Sequence, residues 1–156
     1  MTRPVIFVVN GPNLNLLGLR EPHLYGARTL ADAERLVRAA AGKHGFDVDF
    51  FQSNSEGAVI DRVHAAYADG AGLIVNPGGL TSTSIGLLDA VLAVDLPTVE
   101  VHVTNIHRRE SFRRHSYVSQ AAIAVIAGAG ICGYGFAVDV LADVLAEGPA
   151  ADRLPR

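Results

Sequence analysis

What most limits the fold open to this chain is a set of short apolar runs that alternate with longer helical stretches. Val5–Val9 is an unbroken β-branched and aromatic run, the pattern of a strand buried on both faces. Phe46–Gln52, Leu73–Asn76, Thr98–Val103 and Ala122–Ala127 read as further strands. Between them lie segments with helical periodicity. Thr29 to His44 is one: Thr29 can cap it, Asp32 stands at capping-box spacing, and Leu30, Ala33, Val37 and Ala40 share a face that Gly45 ends. Ser55 can cap the next, with Val59, Ile60, Val63, Ala66 and Tyr67 as its apolar stripe. Thr83 to Val94 and Phe136–Ala146 complete the set. Strands that alternate with helices predict an α/β fold with a parallel sheet covered on both faces. Right-handed crossovers then favour the doubly wound order 2-1-3-4-5, with ligands bound beyond the carboxyl ends of the strands, at the switch between strands one and three.

With 156 residues, the chain predicts a single α/β catalytic domain over residues 1–147 and a frayed tail over 148–156, where apolar content ends. Mean hydropathy is +0.26, rich for a small protein, which either a well-buried core or self-association explains. Net charge is −3, and the one basic cluster, RRESFRRH, is short, so nucleic acid is not an expected partner. The single cysteine, Cys132, excludes an intramolecular disulfide and cannot make a metal site alone. The opening apolar run is too short for a signal peptide or a membrane span, and a cytoplasmic protein with no membrane partner is the expectation.

The polar residues collect where the fold rule asks for them. After strand one comes NGPNLNLLGLREPHLYG, residues 10–26, long enough to be a lid with glycine hinges or an ordinary mobile loop. After strand three comes NPGGLTSTS, whose small residues admit a ligand to the backbone and whose following helix offers N–H groups to an anionic or polyhydroxylated group. It carries neither a Walker lysine nor GxGxxG, and taken alone it reads somewhat better as a tight strand–helix turn with hydroxyl caps. Strand four is TVEVHVTN. Glu100 and His102 stand two apart and face the same way, while Val99, Val101 and Val103 face the other. A carboxylate beside an imidazole sets its tautomer and supports its charge, and such a pair in a central strand is costly without a purpose. The remaining histidines have no credible metal-ligand spacing, so no metal is expected, and no GxSxG nucleophile elbow is present.

Taken together, NGPNLNLLGLREPHLYG, QSNSEG, NPGGLTSTS, VEVHVTNIHRRESFRRHSY and GICGYG resemble type II 3-dehydroquinate dehydratase, in order from about residue 8 to residue 136. The resemblance implies a flavodoxin-like fold and a metal-free, cofactor-free dehydration of 3-dehydroquinate to 3-dehydroshikimate through an enolate, in the shikimate or quinate route. It implies Tyr25 as the base, Arg20 as the cation that makes a phenol of pKa about 10 usable as one, Asn13 as holder of a water at the enolate oxygen, and His102 as the acid, oriented by Glu100. It further implies Asn76 and Arg113 at substrate hydroxyls, the backbone N–H groups around Val103 and Thr104 at the carboxylate, Arg109 as a second lid arginine, and Asp89 reaching a neighbouring subunit of a trimer-based homododecamer.

The sequence departs from the family's T-H-T-S at Ser82, where a histidine commonly binds ring hydroxyls, and at Leu88, commonly basic. A missing hydrogen bond there costs on the order of 1–3 kcal/mol. Two readings stay open: a tolerated variant, or a pocket suited to a related substrate such as an amino-substituted dehydroquinate. A catalytically silent binding homologue and a flavin or nucleotide binder are rivals of other classes. Retention of Tyr25, Arg20, Glu100 and His102 weighs against the first of these, and the missing phosphate loop against the second.

Overall fold

The computed structural model of this chain describes residues 2–19, 21, 23 and 27–148. Five parallel strands, β1 (Val5–Asn10), β2 (Asp47–Gln52), β3 (Gly70–Asn76), β4 (Thr98–His102) and β5 (Ala124–Ala127), form one sheet in the order β2-β1-β3-β4-β5. Helices α1 (Leu30–Lys43) and α4 (Cys132–Ala146) cover one face, and α2 (Glu56–Asp69) and α3 (Ile85–Val94) the other. The α/β class and strand order are those expected. Alternation along β1 explains the two cores. Ile6 and Val8 pack with Val37, Ala41, Val138 and Leu141, while Phe7 and Val9 pack with Val59, Val63, Leu87 and Val91.

Local signals account for the element ends. Thr29 caps α1 in a full capping box with Asp32, Ser55 caps α2, and Gly45 follows α1 with φ +80°. Strand ends shift by one to three residues, as at β3, which starts at Gly70 rather than Leu73, and three features of the helices also differ from expectation. Helix α3 starts at Ile85 rather than Thr83, because Gly78–Ser82 winds into a 3-10 turn and Ser84 takes the cap. Helix α4 starts at Cys132 rather than Phe136. Gly133 and Gly135 are not breakers but close-packing positions: a Cβ on Gly135 would lie 2.5 Å from Leu36 Cδ2, and one on Gly133 3.3 Å from Ile126 Cγ2. Tyr67, read as part of the buried stripe of α2, is 74% exposed, since Val59, Val63 and Ala66 already fill that face.

Where β1 and β3 diverge, their following loops touch. The Gly11 N–H donates to Asn76 O at 2.8 Å, and a Cβ on Gly11 would come 2.2 Å from Pro77 O. Only glycine permits that approach. Asn10 stands in register with both Gln52 and Asn76, so a polar row crosses the carboxyl end of an otherwise apolar sheet.

Candidate active site

A cavity of about 360 Å³ opens above that row, at the carboxyl ends of β1, β3 and β4. It gathers Asn13, Asn76, Ser82, His102, Thr104, Arg109 and Arg113, seven residues drawn from four separated segments of the sequence. Leu14, Leu16, Leu17 and Phe112 supply apolar wall. Of the other expected site residues, Glu100 lies behind His102, Val103 is buried beside the floor, and Asp89 is exposed on α3, away from the cavity. Tyr25 and Arg20 lie outside the described residues.

Glu100 and His102 meet as their spacing predicts. His102 Nε2 lies 2.9 Å from Glu100 Oε1, with both residues buried. The Ser116 and Ser119 hydroxyls also donate to this carboxylate, one to each oxygen. Burial pushes the Glu100 carboxyl up, but the hydrogen bonds from His102, Ser116 and Ser119 outweigh it and hold the group below the usual carboxylate value. An ionised Glu100 requires the proton on Nε2, which leaves Nδ1 as the ring nitrogen free for chemistry at the cavity.

Asn13 is placed by a bracket from β2. Its backbone is left-handed, with φ 69°, and its N–H donates to Asn54 Oδ1 at 2.9 Å. Gln52 Nε2 donates to Gly11 O at 3.2 Å and to Asn54 Oδ1 at 3.1 Å. The segment QSNSEG therefore holds the loop that follows β1.

The hydroxyls of TSTS are committed as donors within the protein. Thr81 donates to Gly78 O at 2.7 Å, Ser82 to His115 O at 3.0 Å, and Thr83 to Gly79 O at 3.4 Å. Ser84 donates to Glu56 and accepts from Leu87 N. Ser82 thus docks the polar segment after β4 and keeps only acceptor capacity toward the cavity. The expectation that N–H groups of the following helix face the ligand does not hold: the 3-10 turn intervenes, and the first turn of α3 lies outside the cavity lining.

That polar segment folds as three short 3-10 turns, Ile106–Arg108, Ser111–Arg113 and Val118–Gln120. Glu110 pairs with Arg113 at 3.1 Å and lies 3.8 Å from Arg109. A hydrogen bond to its own backbone first, and then both arginines, hold the Glu110 carboxyl low. Two guanidinium groups, an imidazole and several amides and hydroxyls around one small cavity suit a ligand bearing a carboxylate and hydroxyl groups.

Ser116, Ser119, Asn54, Asn10 and Tyr134 are the contributors that residue-level reading misses. HSY, QSNSEG and GICGYG carry three of them, Ser116, Asn54 and Tyr134, without any spacing that betrays the partner.

The chain matches the family model for dehydroquinase class II over residues 4–142. It is 62% identical over 138 residues to 3-dehydroquinate dehydratase 1 of Corynebacterium efficiens, which covers 88% of this chain and 91% of that protein. It is 53% identical over 135 residues to catabolic 3-dehydroquinase 2 of Aspergillus terreus, covering 86% and 92%. Among solved structures, the type II dehydroquinase of Butyrivibrio crossotus superposes with a TM-score of 0.86 at 36% identity, covering 89% of this chain and 97% of that one.

Proposed function

The chain belongs to the class II dehydroquinase family, and from that premise we propose that it is a hydro-lyase that removes water from 3-dehydroquinate to give 3-dehydroshikimate. The observation that carries this reading is the buried Glu100–His102 pair on the floor of a cavity rimmed by Arg109 and Arg113.

The proposed steps are proton transfers and balance without a redox partner. Tyr25, as a phenolate favoured by Arg20, takes a proton from the carbon beside the ketone; both roles come from the family resemblance. The electron pair moves to the ketone oxygen, and the enolate is met by a water that Asn13 holds. Its collapse forms the ring double bond and expels the neighbouring hydroxyl, which takes a proton from His102 and leaves as water. Glu100 acts as a positioning residue, keeping His102 in one tautomer and stabilising its cation. Proton return from Tyr25 to His102 through solvent resets the site. Help of this kind is worth roughly 100- to 10,000-fold per group. Asn76 and Arg113 serve substrate hydroxyls, the backbone around Val103 and Thr104 serves the carboxylate, and Arg109 closes the rim. Ser82 is read as a tolerated substitution, since its hydroxyl has a structural use in holding His115.

We read the assembly as trimer-based. The apolar side chains of Tyr67, Ile85 and Leu92, exposed on α2 and α3 around exposed Asp89, support a subunit contact there. A cytoplasmic location fits a chain with one cysteine; among the described residues no helix is long and apolar enough to cross a membrane. The test is Tyr25→Phe beside His102→Ala. Both are expected to lose turnover of 3-dehydroquinate by at least about 100-fold while keeping the wild-type circular dichroism spectrum. Near-wild-type turnover in either removes that residue from its role.

A further inference from the structure

Tyr134 is a fully buried ionisable side chain that the proposed chemistry does not use. It stands in the first turn of α4 and joins Asn10 of β1 to Asn76 of β3, two asparagines that are themselves 0% and 3% exposed. The Tyr134 hydroxyl donates to Asn10 Oδ1 at 2.6 Å, and Asn76 Nδ2 donates to Tyr134 Oη at 2.8 Å. Asn10 Nδ2 donates to Phe51 O at 3.0 Å, and Asn76 Oδ1 accepts from Gly78 N–H at 3.3 Å. The two ends set the direction of the whole chain of bonds. A carbonyl can only accept and a backbone N–H can only donate, so each group between them has one satisfied orientation. Burial pushes the Tyr134 phenol well above its ordinary pKa, so the hydroxyl stays protonated and the direction does not reverse with pH.

An apolar side chain at these positions would pack a parallel sheet at lower cost than three buried polar ones. What the network gains is a fixed amide at the cavity. Asn76 lines the cavity, and its two committed bonds leave one Nδ2–H and one Oδ1 lone pair. We propose that Tyr134 is a positioning residue for the reaction, locking the Asn76 amide through a hydroxyl anchored on Asn10, so that Asn76 offers a substrate hydroxyl one fixed donor and one fixed acceptor. The proposal rests on the dehydratase reading above. Without Tyr134 only the 3.3 Å bond from Gly78 N–H still orients the amide, and whenever it turns over the substrate meets donor where it needs acceptor.

The experiment is steady-state kinetics on 3-dehydroquinate for the wild type, Tyr134→Phe, Asn76→Ala and the double variant. Tyr134→Phe is expected to raise KM about tenfold with kcat within about threefold. In the Asn76→Ala background the same change is expected to leave KM unaltered, because the amide it orients is gone. A structural role alone would lower Tm and leave KM where it was. Asn10→Ala removes the acceptor of the Tyr134 proton and serves as the second variant, with the same non-additivity expected. An unchanged KM in a folded Tyr134→Phe or Asn10→Ala protein, or a full additive effect on Asn76→Ala, overturns the proposal. An inert wild type overturns the dehydratase reading and this inference with it. An active wild type with a raised KM for Asn76→Ala, but none for Tyr134→Phe, overturns this inference alone.

Discussion

Glu100→Gln isolates the part of the site that the geometry specifies best. Glutamine keeps the volume and still offers His102 an acceptor, while the Ser119 hydroxyl can rotate to accept from the new amide, so the change removes charge more than contacts. Two unit charges about 4 Å apart attract by ~4 kcal/mol at an effective dielectric of 20. That is the upper bound on the attraction between the carboxylate and the imidazolium that the proposed reaction uses. A less stabilised cation is also the stronger acid, which returns about half of that loss in a Brønsted relation. The net loss is therefore at most about 2 kcal/mol, a fall in kcat of up to roughly 30-fold. Glu100 does not line the cavity, so KM should stay within about threefold. The assay is steady-state turnover of 3-dehydroquinate followed by ultraviolet absorbance of the conjugated product. A glutamine variant whose kcat stays within about twofold of wild type from about pH 6 to 9 refutes the claim that the carboxylate acts through His102.

Other expectations follow from the same contacts. The folded Glu100 carboxyl titrates below its unfolded value of about 4.3, so its contribution to stability is full above that pH and lost as pH falls through the folded value. In urea unfolding, the gap between wild type and Glu100→Gln should shrink on moving from about pH 6 to below 4; a gap that widens contradicts the assigned direction. Asn54→Ala removes the acceptor of the Asn13 N–H and should lower kcat about tenfold with a Tm drop under ~4 °C. Gly11→Ala drives a Cβ against the Pro77 carbonyl, and calorimetry should show a Tm lower by about 8 °C or more; an unchanged Tm means the two loops are not in contact. Ser82→His adds the ring donor common in the family and should lower KM by up to about tenfold, and a higher KM would mean that the Ser82–His115 bond matters more.

The fold was legible because the strands of a doubly wound sheet are buried on both faces and so stand out as continuous apolar runs, β1 above all. Glu100 and His102 were legible for a related reason: two polar residues at strand spacing inside such a run can only share a face. Their partners were not. Ser116 and Ser119 reach Glu100 from an irregular segment whose 3-10 turns have no periodic signature. Tyr134 lies 124 residues from Asn10, and nothing local marks the pair. The start of α4 was hidden for the opposite reason: Gly133 and Gly135 look like breakers in sequence, and only the neighbouring Leu36 and Ile126 reveal that they make room. The commitment of the Ser82 hydroxyl to the His115 carbonyl was likewise a tertiary fact.

Turnover of 3-dehydroquinate by the purified wild-type chain, dialysed against chelator and supplied with no cofactor, tests the central claim most directly. The account predicts formation of the conjugated enone at a kcat in the ordinary enzyme range, about 1 per second or faster. A folded protein that binds a dehydroquinate analogue yet forms no product under these conditions would contradict it.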